Sequence, residues 1–535
     1  MSKAIELLRQ GKKEELWQLC CGFIDLSMEQ FMTIQRRLLL EQLELLKRCE
    51  LGREVMRGAE PSSVEEFQRQ VPLTTYADYA PYLLERREDV LPEKPAVWQR
   101  TSGRSAEFPC KWAPISERMY QELGETLFAI FIFCTCKERG DVPVEEHCKV
   151  LYGLAPPPYI SGTLGQKAAE ELSVDFLPSM EEAELMSFEE RIRRGFQLAL
   201  SEGLDIFYGI PSVLVAVAEQ FGKGTGVKSL IPLLSKPKIL LRLTKAMLKS
   251  KLARRPLMPK DLWALKGVVS AGTDNAIYKE KIEHLWGKYP LDIYAATEAG
   301  FIAMQTWDYQ GMTFIPHFNF LEFIPEREHL RLKKEPTYQA PTVLLDEIKA
   351  GEKYEVVVTN FHGGPFVRYR LGDMIRITSL RNEELGIEIP QMMFDRRADD
   401  LIDIAGFAGL TEKTIWQALE NSGVAYQDWT ARREAQEETV VRLYLELKEN
   451  GEGRDEEQLA AAIHEQLRKL DGDYADMETM LQLKPLKVTL LHNGAFREYI
   501  SRQRAAGADL AHLKPPHINP SDGIIDTLLN SVSPQ

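Results

Sequence analysis

Long apolar runs are missing from this 535-residue chain. The longest, 127–136, is only about half of the ~20 residues that a membrane-spanning helix requires. The opening Met1-Ser2-Lys3-Ala4-Ile5-Glu6-Leu7-Leu8 is charged and helix-forming, without the apolar core of a signal peptide. A soluble, cytoplasmic protein is therefore expected, with no stable membrane insertion. An excess of positive charge is missing too. A formal net charge of −14 argues against nucleic-acid partners, which need a basic face. It does not exclude nucleotides, because a few local cations and backbone N–H groups hold a polyphosphate. Cysteine is absent beyond residue 150: all seven (Cys20, Cys21, Cys49, Cys110, Cys134, Cys136 and Cys148) precede it. Their odd number and irregular spacing suit a reducing compartment. No paired CxxC supports reading Cys134, Cys136, His147 and Cys148 as a metal cluster, and 127–133 reads as core. Internal repeats and low-complexity segments are also lacking.

What remains is a globular composition, 44% hydrophobic and 27% charged, in a chain too long for one ordinary core. A helical region opens the chain to about residue 58. In it Ser27-Met28-Glu29-Gln30 has the capping-box pattern, and Leu38, Leu39, Gln42, Leu45 and Leu46 follow at helical spacing. Between about 100 and 400, β-rich runs at 149–154, 267–271, 291–294 and 354–359 alternate with amphipathic helical ones, which argues for an α/β domain with partly parallel sheets. Beyond 400 the rhythm changes. A helix is expected at 411–421 and a strand where Val441, Leu443, Leu445 and Leu447 alternate with polar residues. A helix capped at 455–458 runs through Leu470, and a strand follows through Leu486, Val488 and Leu490. The predicted division is a domain over 1–396 and a small α+β lid over 397–535.

Four segments carry chemistry. In Arg100-Thr101-Ser102-Gly103-Arg104-Ser105-Ala106-Glu107, hydroxyls and backbone N–H groups suit β- and γ-phosphates, although such clusters are also ordinary loops. In 267–273 and Tyr294-Ala295-Ala296-Thr297-Glu298, small residues let a planar base or acyl group approach the backbone. Tyr294 can stack on adenine, Thr297 can bond the α-phosphate and Glu298 can hold Mg²⁺. The alternative is a strand end whose Tyr and Glu are merely packed and solvated. The run Tyr354-Glu355-Val356-Val357-Val358-Thr359-Asn360-Phe361 reads as a strand leading to the Gly363-Gly364-Pro365 turn and then to Tyr369-Arg370-Leu371-Gly372-Asp373. A strand-end Asp can bind a ribose diol, and the Asp395-Arg396-Arg397-Ala398-Asp399-Asp400 stretch offers an Arg fork. Gly222-Lys223-Gly224-Thr225-Gly226-Val227-Lys228-Ser229 nearly spells a P-loop, but Val227 replaces the second Gly, so it reads as a turn.

The order of these motifs resembles the acyl-adenylate-forming superfamily, and within it the auxin-inducible acyl-acid amido synthetases and their bacterial relatives. The resemblance spans about residues 40–520. It is carried also by Phe67 with Val71-Pro72-Leu73-Thr74-Thr75-Tyr76 and by Phe320-Leu321-Glu322-Phe323-Ile324-Pro325. It implies a large adenylating domain and a lid, with ATP and Mg²⁺ as cofactors. Thr101, Ser102, Gly103, Arg104 and Ser105 would line the phosphate loop, and Gly272 and Thr273 the nucleotide site. Tyr294, Ala295, Ala296, Thr297 and Glu298 would serve adenine, α-phosphate and metal, and Asp373 and Arg397 the ribose. Asp399 would be the hinge, and Lys514, in His512-Leu513-Lys514-Pro515-Pro516, the C-terminal lysine at the α-phosphate, or else an ordinary surface lysine. The loop departs from the family pattern: Arg104 stands where Thr is usual, and Glu107 near an expected Gly. The implied partners are a small carboxylic acid and an amine, an amino acid, or alternatively CoA. A nucleotide-binding homologue without turnover is the reading that the unusual loop favours. Finally, the basic stretch 236–255 carries Leu240, Leu241, Leu243, Met247 and Leu248. It reads either as a helix on an anionic membrane or as a solvated cap packing its apolar side on the domain.

Overall fold

The β-branched run 354–359 forms a buried strand, paired on one side with 319–325 and on the other with 369–376. The computed structural model describes all residues except 1, 102–110, 154, 210, 223–236, 271–274, 336, 399–400, 405–407, 436–438, 449–454, 473, 476–485, 506–515 and 530–535. Up to Asp395 the described residues form one compact unit, and from Arg396 onward a second.

The first unit has a hairpin, β1 (Pro95–Arg100) and β2 (Trp112–Ser116). Its main strands are β3 (Lys149–Gly153), β4 (Asp175–Leu177), β5 (Ile206–Gly209), β6 (Gly267–Ser270), β7 (Pro290–Ala296), β8 (Gly300–Gln305), β9 (Met312–Phe314), β10 (Asn319–Pro325), β11 (Lys353–Asn360), β12 (Tyr369–Ser379) and β13 (Gln391–Arg397). They form one sheet in the order β10-β11-β12-β13-β9-β8-β7-β6-β5-β3-β4. From β4 to β7 the pairings are parallel. From β7 to β9, in the β13–β9 pair and across β10, β11 and β12 they are antiparallel. β5 and β6 are buried throughout, as expected of parallel strands covered on both faces. The expected α/β fold with a partly parallel sheet is thus present.

The helix Met28–Leu46 begins with the expected capping box, Ser27 and Gln30 satisfying each other's backbone N–H. Its buried face carries two glutamines among leucines. Gln35 donates to the carbonyls of Pro316 and Asn319 (2.6 and 2.8 Å) and accepts from the Leu321 N–H. Gln42 bonds both Gly363 N–H and Gly364 C=O at 2.8 Å. Buried backbone groups at strand ends are thereby satisfied. Among the described residues six cysteines are buried and unbridged. Burial pushes the Cys134 thiol well up and those of Cys136 and Cys148 to about 12, so they behave as small apolar core groups. No described helix is long and apolar enough to cross a membrane.

The second unit is built on β16 (Tyr426–Ala435), β17 (Thr439–Leu447) and β18 (Leu486–Leu491), after a small hairpin of β14 (Leu401–Ile404) and β15 (Ala408–Thr411). Helices Glu412–Ser422 and Glu456–Leu470 lie where the sequence places them. At the unit's centre His517 is held between two carboxylates, Glu412 at Nδ1 (2.6 Å) and Asp428 at Nε2 (2.9 Å). Its ring stacks on Trp429, with centroids 4.4 Å apart. The flanking chain bonds β16 as well: Ala431 N–H donates to His517 C=O at 2.7 Å and Asn519 N–H to Ala431 C=O at 2.8 Å.

Burial alone would favour neutral His517, but the two carboxylates outweigh it and raise the imidazole to about 9. A raised imidazole stabilises the fold fully below its ordinary value near 6.5, and that contribution fades as pH climbs through about 9. Replacing His517→Gln should cost about 2–4 kcal/mol near pH 6, measured by denaturant unfolding of the full chain. The gap between wild type and variant should narrow steadily from pH 7 to 10. A gap independent of pH would show that the clamp is not ionic.

Candidate active site

The candidate phosphate loop follows β1, and of its residues only Arg100 and Thr101 are described. Its neck is closed by Thr101, whose N–H donates to Lys111 C=O (2.9 Å) and whose hydroxyl accepts from Lys111 N–H (3.2 Å). Ser102, Gly103, Arg104 and Ser105 lie outside the described residues, as do Gly272, Thr273, Asp399, Lys514 and residues 223–229 of the P-loop-like turn.

The Tyr294–Glu298 segment is described in full. Ala295 and Ala296 end β7, and Thr297 and Glu298 form the turn into β8, with Ala296 opposite Gly300. Gly300 has φ +64°, a left-handed conformation that glycine adopts at little cost. The turn therefore sits at the carboxyl end of a strand paired in parallel with β6. Ligands of open α/β sheets gather at such ends.

The 369–373 segment meets this turn. β12 pairs with β11, but the register shifts between the Val357–Arg370 and Glu355–Met374 pairs. Gly372, at φ +70°, sits in this irregularity, and its conformation re-aims the next residue. Asp373, 4% exposed, accepts a 2.8 Å hydrogen bond from the Tyr294 hydroxyl. Glu298 accepts from the Tyr369 hydroxyl at 3.2 Å. Burial, then the neighbouring Glu298 charge, pushes the Tyr369 phenol well above its ordinary value, so it remains a donor. The two motifs, some seventy residues apart in sequence, thus share one site through two tyrosine–carboxylate bonds. The Phe394 ring lies 6.1 Å from that of Tyr294. Arg397 is an exposed residue at the end of β13, in the second unit.

Sequence reasoning passed over the residues that hold this geometry. Asn360, at the end of β11, donates to both Glu298 C=O and the Asn319 side chain (2.9 Å each). Asn319 in turn donates to Ala299 C=O at 2.7 Å. This buried amide pair fixes the Glu298–Ala299 backbone. Asn360 lies within the 354–361 run and Asn319 just before the 320–325 motif, the one signal that could have pointed to them. Arg368, just before Tyr369, lies in the left-handed region at φ +43°. Its guanidinium forks onto Glu322 (3.1 and 2.9 Å) and also reaches Gln68 C=O, Val71 C=O and the Thr342 hydroxyl. Thr74 brackets the same stretch, its N–H donating to Arg368 C=O and its C=O accepting from Arg370 N–H, both at 2.9 Å. The 71–76 and 320–325 motifs therefore converge on the chain entering Tyr369. Behind it Arg370 pairs with Glu355 (3.0 and 2.9 Å), which His329 also contacts at 2.6 Å. Burial would raise the Glu355 carboxyl, but His329 and Arg370 hold it below its ordinary range.

Three domain models of one family match this chain. Residues 20–152 match the GH3 family N-terminal domain, 312–397 the GH3 family central domain and 412–522 the GH3 family C-terminal domain, together more than half of the chain. The chain belongs to the GH3 family. Among named GH3 relatives, jasmonoyl–L-amino acid synthetase GH3.5 of Oryza sativa subsp. japonica is 26% identical over 273 residues, 47% of this chain and 45% of the rice protein. Indole-3-acetic acid-amido synthetase GH3.3 of Arabidopsis thaliana is 24% identical over 258 residues, 45% of this chain and 41% of the relative. The matches span less than half the length of these two relatives. The fold agrees over nearly the whole chain. The structure of AtGH3.15 acyl acid amido synthetase in complex with 2,4-DB superposes with a TM-score of 0.66 at 18% identity, covering 95% of each chain. 2-Hydroxyisobutyryl-CoA ligase with 2-HIB-AMP superposes with a TM-score of 0.62 at 15% identity, covering 94% of this chain and 92% of that one.

The buried fork of Arg368 yields a test within this site. Arg368→Met should cost about 3–5 kcal/mol, because it strands the Glu322 carboxylate away from water. Adding Glu322→Met should recover part of that loss. Denaturant unfolding of the two variants measures both effects, and a single-variant cost below about 1 kcal/mol would refute the role of the pair.

Proposed function

We propose that this chain is an adenylate-forming ligase that joins a carboxylic acid to an amine, an amino acid in the reading we favour. The observation that carries the proposal is the paired contact of Tyr294 with Asp373 and Tyr369 with Glu298, supported by membership of the GH3 family and by the adenylate-forming fold. In the first half-reaction an oxygen of the acid attacks the α-phosphorus of ATP, and the bond to pyrophosphate breaks. In the second, the amine nitrogen attacks the acyl carbon, loses a proton and expels AMP.

Such chemistry needs alignment and charge neutralisation more than covalent help from the protein. Tyr294 would offer a flat face to adenine, beside the small side chains of Ala295 and Ala296. The Asp373 carboxylate would be the group for the ribose diol. One of its oxygens already accepts from Tyr294, and an ionised carboxylate has lone pairs enough to accept more. Thr297 would bond the α-phosphate, and the loop from Thr101 to Ser105 the remaining phosphates. Glu298 suits Mg²⁺, a hard cation that takes one or two carboxylates along with phosphate oxygens. When bound, Mg²⁺ would neutralise charge on the polyphosphate. Tyr369 would fix the orientation of that carboxylate, and Arg397 would add a donor fork to the ribose. In the lid reading residues 397–535 turn about Asp399 between the half-reactions and bring Lys514 to the α-phosphate.

Exchange of labelled pyrophosphate into ATP over a panel of acids tests the first step. Acid-dependent exchange is expected, and Lys514→Ala should slow it by ~10²–10³-fold without unfolding the chain. ATP binding with no exchange for any acid would favour a nucleotide-binding homologue without turnover, the reading to which Arg104 and Glu107 give weight. Mass spectrometry after adding amino acids or CoA to the preformed adenylate separates an amide from a thioester product.

A further inference from the structure

The helix Pro237–Leu252 has two apolar faces, and the described residues of the domain cover only one of them. Ile239, Leu243 and Ala246 are buried in the core cluster that includes Leu200, Phe207 and Trp263. Arg242 fixes the helix's rotation by donating to the carbonyls of Ala199 and Leu200. On the outer side Leu240, Leu241, Met247, Leu248 and Leu252 are 51%, 58%, 51%, 59% and 77% exposed. They recur at i, i+1, i+7, i+8 and i+12, which is one continuous stripe along the helix. The expectation that this helix packs its apolar side on the domain is therefore met by its inner residues alone. Exposed lysines edge and cross the outer stripe: Lys238, Lys245, Lys249 and Lys251. From residue 220 to 260 the sequence contains eleven Lys and Arg and no Asp or Glu, in a chain whose net charge is −14.

We propose that this outer face docks on an anionic lipid surface, the leucines entering the acyl boundary and the lysines meeting the headgroups. Charge decides the occupant. A two-fold contact with a second copy would set the same lysines against each other, because such an interface is self-complementary. A nucleic acid would be drawn to the lysines but gives five exposed apolar side chains nothing to enter. A negatively charged bilayer satisfies both halves of the surface, as for other interfacial amphipathic helices.

The test is co-sedimentation of the full chain with vesicles of phosphatidylcholine alone or with 30% phosphatidylserine added. Pelleting with the anionic vesicles only is expected, weakening as salt rises. Two variants probe the two halves of the face, Leu241→Ser with Leu248→Ser, and Lys245→Glu with Lys249→Glu. Each should lower vesicle partitioning at least about tenfold. These residues are exposed, so unchanged melting of the variants is expected and keeps the readout specific. No binding by the wild type, equal binding to neutral vesicles, or binding indifferent to both variants would overturn the proposal. So would concentration-dependent dimerisation that the serine variant abolishes in the absence of vesicle binding.

Discussion

The site depends on a single buried ion pair. Arg368 is held in a backbone conformation that L-residues seldom adopt, and that conformation persists because its side chain is tied at every donor position it uses. The strain turns the chain so that the residue after it, Tyr369, faces the β7–β8 turn. A surface pair would be too weak and too easily hydrated for this task. Glu322 is fully shielded from solvent, so the guanidinium has nowhere better to go.

Around that anchor the charges form two sets. In the Arg368–Glu322 and Arg370–Glu355–His329 groups, arginines face carboxylates directly. In the other set two phenols, Tyr294 and Tyr369, each donate to one carboxylate. A neutral donor orients an acid without cancelling its charge, which leaves Asp373 and Glu298 able to attract cations or hydroxyls from a ligand. Arginines in those two places would instead have neutralised the carboxylates.

Much of this was legible in the sequence, and the reasons differ by element. The β11 run, the capping box at Ser27, the helix after Thr411 and the alternation in β17 are local signals, set by propensity and by neighbouring residues. The Tyr294–Glu298 and Tyr369–Asp373 motifs could be named because their residue types fit the chemistry. That they touch could only be presumed from the resemblance. The supports could not be read. Gln35 and Gln42 act on strand ends 281 and 322 residues away, and Asn319 with Asn360 closes a turn belonging to neither of their strands. His517 is unremarkable in sequence and becomes central only when Glu412, Asp428 and Trp429 close around it. Amphipathicity likewise placed the helix Pro237–Leu252 but could not tell how many of its leucines the core would accept.

Thr101 and Lys111 close the base of the β1–β2 hairpin with two hydrogen bonds that use backbone groups and one hydroxyl. Almost any side chain at position 111 would preserve that clasp. The closure is thus written in the main chain rather than in the side chain of residue 111. A proline there would open the neck, because it would remove the N–H from which the Thr101 hydroxyl accepts.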